Sequence, residues 1–201
     1  MGLLLTKLLL APSFVVAASL TARRFGPRVG GLIAGLPVVA GPILLVYALA
    51  HGRGFAASAA LGTLLGLVSL IAFVVVYARL AGRAPWPLSM LAGWVAFAVL
   101  TALFSLVSVP AGVALAIALG GLLAGLVLVP RGADGPRAPL PPPSWDLPMR
   151  AICAVALVVA LTAIAGWLGP RLSGLLAPFP IIATVLAIFT HAQHGASQIV
   201  E

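Results

Sequence analysis

Two stretches rich in proline and glycine contain the groups in this chain best suited to binding a polar molecule. The first runs from Gly30 to Pro42 and the second from Ser173 to Pro180. A proline inside a helix removes one backbone hydrogen bond, so a carbonyl oxygen near each break becomes free to accept another donor. The polar side chains near these breaks are Ser13, Tyr47, Thr184, Thr190, His191 and Gln193. Together these groups offer hydrogen bonding to a small solute.

Other kinds of chemistry lack the residues that they need. The acidic residues are Asp134, Asp146 and Glu201, and none lies inside an apolar segment, so no paired carboxylates are available for acid–base catalysis. The chain has no phosphate-binding loop and no nucleophile elbow. His191 and His194 have no Cys, Asp or Glu beside them, which argues against a metal site. The sequence therefore predicts no enzyme, no metal and no cofactor.

The composition is that of a membrane protein. Hydrophobic residues make up 63% of the chain and charged residues 7%, whereas soluble domains carry roughly 25% charged residues. The formal charge of +8 could suggest nucleic acid as a partner, but the basic residues are scattered between apolar runs and form no basic face. Cys153 lies in an apolar run and is expected to pack as a small apolar residue. The partner that the composition predicts is the lipid bilayer.

Seven apolar segments predict an all-α, polytopic bundle of about seven transmembrane helices. Each segment is long enough to cross a hydrocarbon layer of about 30 Å. Residues 130–146 contain six prolines and are expected to form a semi-rigid linker. The segments cover residues 3–21, 29–50, 55–78, 86–108, 110–129, 148–168 and 172–192.

An internal repeat divides the chain. Residues 26–52 match residues 169–195 at a constant offset of 143, with ten identities in 27 positions, including Gly-Pro-Arg and His-Gly. We expect a first repeat of five helices at 1–129 and a partial second repeat at 147–201 with two helices and the start of a third. An odd number of spans per repeat threads the second copy in the opposite sense, as in transporters with inverted repeats. The sequence thus predicts seven spans of a ten-span design, as a fragment or as a shortened relative.

The arginines predict the orientation. With five spans before the linker, Arg53 and Arg171 fall on one side of the membrane and seven other arginines on the opposite side. Cytoplasmic loops carry the excess of basic residues, so we expect the N-terminus outside and residues 130–146 in the cytoplasm, in a bacterial inner (plasma) membrane. Lys7 and Arg150 are expected to extend to the interface. The larger group is Arg23, Arg24, Arg28, Arg79, Arg83, Arg131 and Arg137.

The broken second and seventh segments predict a substrate site near the middle of the membrane, and hence a carrier. The alternative for these segments is a pair of kinked helices that only pack closely. The alternative function is a non-transporting subunit that anchors or assembles a partner through close-packed glycine faces. Small-residue spacings such as Gly121 and Gly125 indicate packing more than dimerisation, and a homodimer is a further possible partner. The candidate substrate-binding residues are Gly35, Pro37, Gly41, Pro42, Pro178, Pro180, Thr184 and His191.

Two resemblances accompany this interpretation. Residues 176–183, with His191 behind them, resemble the Phe-Pro helix of the GlpM-like small inner-membrane proteins. The five-plus-five inverted plan resembles that of the drug/metabolite and bile-acid-type carrier superfamilies. That second resemblance implies transport of a small solute by alternating access, and no functional residue is carried over from either group.

Overall fold

The computed structural model describes two long stretches, residues 40–130 and 145–180, together with eight separate residues. Every regular element in these two stretches is an α-helix, and no strand occurs in them. The eight separate residues are Ser13, Val16, Ala17, Leu20, Thr21, Arg24, Phe25 and Thr184. The helices are α1 (Ala40–His51), α2 (Arg53–Ala81), α3 (Trp86–Leu106), α4 (Ala111–Leu128) and α5 (Asp146–Leu176).

In the described stretches, four helices are long and apolar enough to cross a membrane: α2, α3, α4 and the Ala151–Leu176 part of α5. At about 1.5 Å per residue, the 18 residues of α4 extend about 27 Å, close to the thickness of a hydrocarbon layer. A helix satisfies its backbone hydrogen bonds internally, which is why continuously apolar segments adopt this form in lipid. The four helices indicate a multi-pass membrane protein, and the spans predicted at 55–78, 86–108 and 110–129 are confirmed within a few residues.

The remaining predicted spans are described only in part. The first has a few described residues, and α1 is the end of the second, whose earlier part lies outside the described residues. The sixth span and the beginning of the seventh together form α5. Most of the later part of the seventh span, including His191, lies outside the described residues.

Glycine and proline set the helix boundaries. Gly52, between α1 and α2, has a φ of 88°, a backbone conformation that a residue with a Cβ rarely adopts. Pro85 and Pro87 flank the first residue of α3, where an absent amide costs nothing. Pro110 is the N-cap of α4, and its carbonyl accepts a hydrogen bond from the amide of Ala114 at 3.0 Å. The turn between α3 and α4 is therefore only four residues long.

The contacts divide the chain into two compact units, residues 1–63 with 142–181 and residues 64–141 with 182–201. Each unit takes residues from both sides of the proline-rich stretch, so these units are a different division from the predicted repeats. In the first unit, α1, the start of α2 and α5 share one apolar core. The buried members of this core are Ala40, Ile43, Tyr47, Ala59, Leu157, Val158, Leu161, Ala165 and Ala177.

In the second unit, glycines let α3 and α4 pack closely against α2. A Cβ at Gly93 of α3 would lie 2.8 Å from the ring of Phe73, and a Cβ at Gly125 of α4 would lie 2.7 Å from the Ile71 side chain. Four residues before Gly125, a Cβ at Gly121 would lie 3.1 Å from Val68. The Gly121/Gly125 spacing therefore serves packing inside this unit.

Arg79 joins the C-terminal ends of two helices in this unit. Its Nε donates a hydrogen bond to the carbonyl oxygen of Leu128 at 3.1 Å. Because α2 ends at Ala81 and α4 at Leu128, this bond places the C-terminal ends of the two helices together. Helix α3, which follows α2 and precedes α4 in the chain, runs in the opposite direction.

Candidate functional site at an interrupted helix

The backbone of α5 breaks at Gly169. This residue has φ 73° and ψ 168°, which is outside helical geometry, while Pro170 directly after it begins a second helical segment, residues 170–176. Glycine is the residue that adopts positive φ without strain, and proline fits the first position of a helix. The corner predicted between the sixth and seventh spans thus lies at Gly169, with no loop residues between the two helical segments.

The second segment ends where prolines remove its hydrogen-bond donors. Pro178 has no amide to donate to Gly174, four residues earlier. The amide of Ala177 donates to Gly174 at 3.1 Å instead of to Ser173, and the amide of Phe179 donates to Leu176 at 3.0 Å. The backbone rearrangement therefore leaves the carbonyl oxygen of Ser173 without its usual helical donor.

Two hydroxyl groups from other helices donate to the carbonyl oxygens of Ser173 and Gly174. The Tyr47 hydroxyl of α1 donates to the carbonyl oxygen of Ser173 over a long 3.5 Å. The Thr63 hydroxyl of α2 lies 3.2 Å from the carbonyl oxygen of Gly174 and 3.0 Å from that of Ala59 in its own helix. A hydroxyl has one proton, so Thr63 shares it between two acceptors. Carbonyls freed by a helix break within a membrane are tolerated where neighbouring protein satisfies them in this way.

Backbone atoms of α2 and the 170–176 segment meet directly beside these hydroxyls. A Cβ at Gly62 would lie 2.5 Å from the carbonyl oxygen of Arg171 and 3.0 Å from the amide nitrogen of Leu175. A Cβ at Gly174 would overlap the carbonyl group of Ala59. Only glycine fits at these two positions, which explains how Thr63 reaches the backbone of the other helix.

Ser173 places an unsatisfied polar group at this junction. Its side chain is fully buried, and its Oγ has no hydrogen-bond partner in the part of the chain that the structure describes. A buried polar group left in this state costs about 1–3 kcal/mol. Three other buried hydroxyls in the described residues share this state, those of Ser69, Tyr77 and Thr101, but they lie away from the helix break. The Ser173 hydroxyl is therefore an unsatisfied polar group inside the packed core, beside the Tyr47 hydroxyl.

An aromatic cluster connects the junction to the turn between α1 and α2. The ring of Tyr47 packs edge-on against Phe55 with a centroid separation of 5.3 Å, and Phe55 stacks on His51 at 4.6 Å. Tyr47 is buried, whereas His51 is exposed. The rings thus extend from the buried hydroxyls to an exposed histidine beside Gly52.

The position of Thr63 along α2 gives the depth of the junction. Thr63 lies ten residues after Arg53, the charged first residue of α2, or about 15 Å along the helix. The hydrocarbon layer is about 30 Å thick. In a spanning α2 whose start lies at the interface, the Thr63 hydroxyl is close to the middle of the membrane.

The structure describes five of the eight predicted site residues. Pro178, which is half-buried, and Pro180, which is buried, lie just beyond the end of the 170–176 segment. In α1, Pro42 is buried but Gly41 is exposed, with open space where a Cβ would point. Thr184 is buried in the second unit, where its hydroxyl accepts a hydrogen bond from the Trp94 indole at 3.1 Å. The others, Gly35, Pro37 and His191, lie outside the described residues.

Sequence reasoning missed Thr63 and the Ser173 hydroxyl, and it counted Tyr47 only among nearby polar residues. A signal was present in the prolines. Pro178 implies that the carbonyl of Gly174 needs another donor, and hydroxyls on neighbouring apolar helices are the groups that can provide one.

Comparison with protein-family models, with curated proteins and with solved structures found no match to this chain.

Proposed function

We propose that this protein is an integral-membrane carrier that moves a small solute by alternating access, with its binding site at the interrupted helix in α5. The observation that supports this proposal is the buried Ser173 hydroxyl without a described partner, next to the carbonyl oxygens of Ser173 and Gly174, which accept hydrogen bonds from Tyr47 and Thr63. Broken helices near the middle of the membrane are where secondary transporters bind substrates and ions.

The groups at the site select the chemistry of the solute. The C-terminal end of a helix carries a partial negative charge, and exposed carbonyls there accept hydrogen bonds or coordinate cations. Tyr47, Thr63 and Ser173 add hydroxyls, which both donate and accept. We therefore expect a neutral or cationic solute that carries hydrogen-bond donors, such as an amine or a polyol.

The proposed movement is a shift of the 170–176 segment against α2. Gly169 is the hinge, since this single residue with a positive φ joins two helical segments that have no loop between them. Gly62 and Gly174 form the contact that moves, because contact between backbones leaves no side chains to interlock. In the open state the hydroxyls of Tyr47 and Thr63 no longer donate to the carbonyl oxygens of Ser173 and Gly174. They donate to the solute instead.

The wider architecture in this proposal is an inverted repeat of five-helix units, seven spans of which occur in this sequence. The Gly26-Pro27-Arg28 corner is then the counterpart of Gly169-Pro170-Arg171 on the other face of a bacterial inner membrane. The N-terminus is outside and residues 130–146 are cytoplasmic. The substrate lies between the second and seventh spans, in contact with both proline-containing stretches.

A counterflow assay in proteoliposomes tests the proposal. Vesicles preloaded with one unlabelled solute, taken from a panel of amines, amino acids and polyols, are diluted into the labelled form of that solute. We expect one class to accumulate with the wild-type protein. Ser173→Ala should reduce accumulation at least tenfold without lowering Tm, because the Ser173 hydroxyl has no described partner to lose.

The matched control is Ser105→Ala on α3. The Ser105 hydroxyl is exposed and donates to the Ala102 carbonyl at 2.7 Å, so its removal should leave accumulation unchanged. Equal accumulation by Ser173→Ala and the wild-type protein would show that the site is not at the interruption. Failure of the whole panel with correctly inserted wild-type protein would argue against the carrier function.

A further inference from the structure

A cavity of about 500 Å³ lies at the C-terminal ends of α2 and α4, in the second compact unit. Its lining combines two cations with an aliphatic wall. The residues that line it are Arg79, Arg83, Val127, Leu128, Val129 and Pro130. A cavity of this composition differs from the junction in α5, which contains hydroxyls and carbonyls and belongs to the other unit.

The two guanidinium groups are held in place but retain free donors. Arg79 uses its Nε on the Leu128 carbonyl at 3.1 Å, and Arg83 uses Nη1 on the Arg79 carbonyl at 3.5 Å. Within the described residues, neither side chain makes another hydrogen bond or an ion pair, so both Nη atoms of Arg79 and the Nε and Nη2 of Arg83 remain available. Arginine donors in this arrangement suit the oxygens of a phosphate group.

The aliphatic wall continues along the outer face of α4. Val127 is 76% exposed and Leu126 is 70% exposed, and the exposed face extends back through Leu123 and Leu119. Side chains of this kind on a spanning helix face the acyl chains of lipid. A ligand that fits the whole surface therefore has an anionic head and a long apolar tail.

We propose that this cavity binds the headgroup of an anionic phospholipid, with its acyl chains along α4. Charge complementarity supports the choice: two arginines face the cavity, and none of the described residues that line it is acidic. The nearby C-terminal carbonyls of α2 and α4 repel an anion, so the affinity depends on the two guanidinium groups. Basic pockets between helices at a membrane interface are suited to such headgroups.

The test measures Tm of the purified full chain in a mild detergent with added lipid. Phosphatidylglycerol is the probe, phosphatidylcholine is the uncharged comparison, and inorganic phosphate is the comparison without acyl chains. At saturation we expect phosphatidylglycerol to raise the Tm of the wild-type protein by about 5–10 °C more than phosphatidylcholine does. Inorganic phosphate should produce no such rise.

The variants locate the effect. Arg83→Gln should remove at least half of the difference between the two lipids, and the double variant Arg79→Gln/Arg83→Gln should remove all of it. The control Arg53→Gln removes the same charge from the exposed first residue of α2, at its opposite end, and should keep the full difference.

Three results would overturn the proposal. One is a phosphatidylglycerol effect that persists in the double variant, and another is an equal loss in Arg53→Gln, which would indicate general charge. The third is an equal rise with inorganic phosphate, which would identify a site for a free anion instead of a lipid. Since Arg79 also holds the end of α4, Arg83→Gln is the variant that tests binding without disturbing that bond.

Discussion

The hydroxyl of Thr63 lies 3.2 Å from the carbonyl oxygen of Gly174, the atom that loses its helical donor four residues later at Pro178. One side chain on α2 thus compensates for a proline in another helix. The arrangement explains how a helix that ends inside an apolar core keeps its backbone satisfied. It also makes the stability of the junction depend in part on the Thr63 hydroxyl and on the glycines that let it approach.

Thr63→Val tests this dependence directly. Valine keeps the shape of threonine but cannot donate, so we expect a loss of about 1–2 kcal/mol in the free energy of unfolding. The measurement is reversible unfolding in mixed micelles. Thr101→Val is the matched control, because the buried Thr101 hydroxyl has no partner within the described residues and its removal should be neutral or stabilising. Equal losses in the two variants would contradict the role given to Thr63.

Gly174→Ala should disrupt the contact between α2 and the 170–176 segment. The added methyl group would overlap the backbone carbonyl of Ala59, which cannot rotate away, so the helices must separate. We expect a loss of about 1–3 kcal/mol or more, measured as a lower Tm and a lower yield of monodisperse protein. In the control Gly166→Ala, the new Cβ meets nothing within 4 Å, so its Tm should not fall. Unchanged stability of Gly174→Ala would show that the helices do not meet closely here.

Gly169→Ala tests the corner in α5. Its φ of 73° with a ψ of 168° lies in a backbone region that is essentially restricted to glycine and costs a residue with a Cβ about 1–3 kcal/mol. Alanine in the helical backbone at Gly166, three residues earlier, should add stability. The two substitutions are chemically identical, so their Tm values should move in opposite directions. A stabilising effect of Gly169→Ala would mean that the helix runs straight through this position.

Cysteine labelling from either side of the membrane tests the orientation. In a Cys153→Ala background, Gly82→Cys and Val107→Cys place thiols at exposed residues beyond the two ends of α3. We expect an impermeant maleimide to label Val107→Cys in intact cells and Gly82→Cys only after lysis, because the excess of basic residues in cytoplasmic loops predicts that Arg79 and Arg83 lie on the cytoplasmic side. The reverse pattern would invert the proposed topology, and labelling of both thiols from one side would show that α3 does not span.

The sequence predicts the spans of α2, α3 and α4 because continuous apolar runs end at glycine and proline, whose effects are local. It also predicts the corner at Gly169-Pro170 for the same reason. The partners of these helices could not be predicted, because each helix is apolar on nearly every side and no face is marked for packing. The pairing of Gly125 with Ile71 and the approach of Thr63 to Gly174 depend on neighbours distant in the chain.

The four-residue turn from Val107 to Pro110 has a consequence for biogenesis. It contains one serine, two valines and a proline, and no charged side chain. A charged residue costs about 2.5–3.5 kcal/mol at the centre of the bilayer during insertion, and this turn carries no such penalty. Helices α3 and α4 can therefore enter the lipid as a preformed pair. The translocation machinery then moves only a short neutral turn across the membrane.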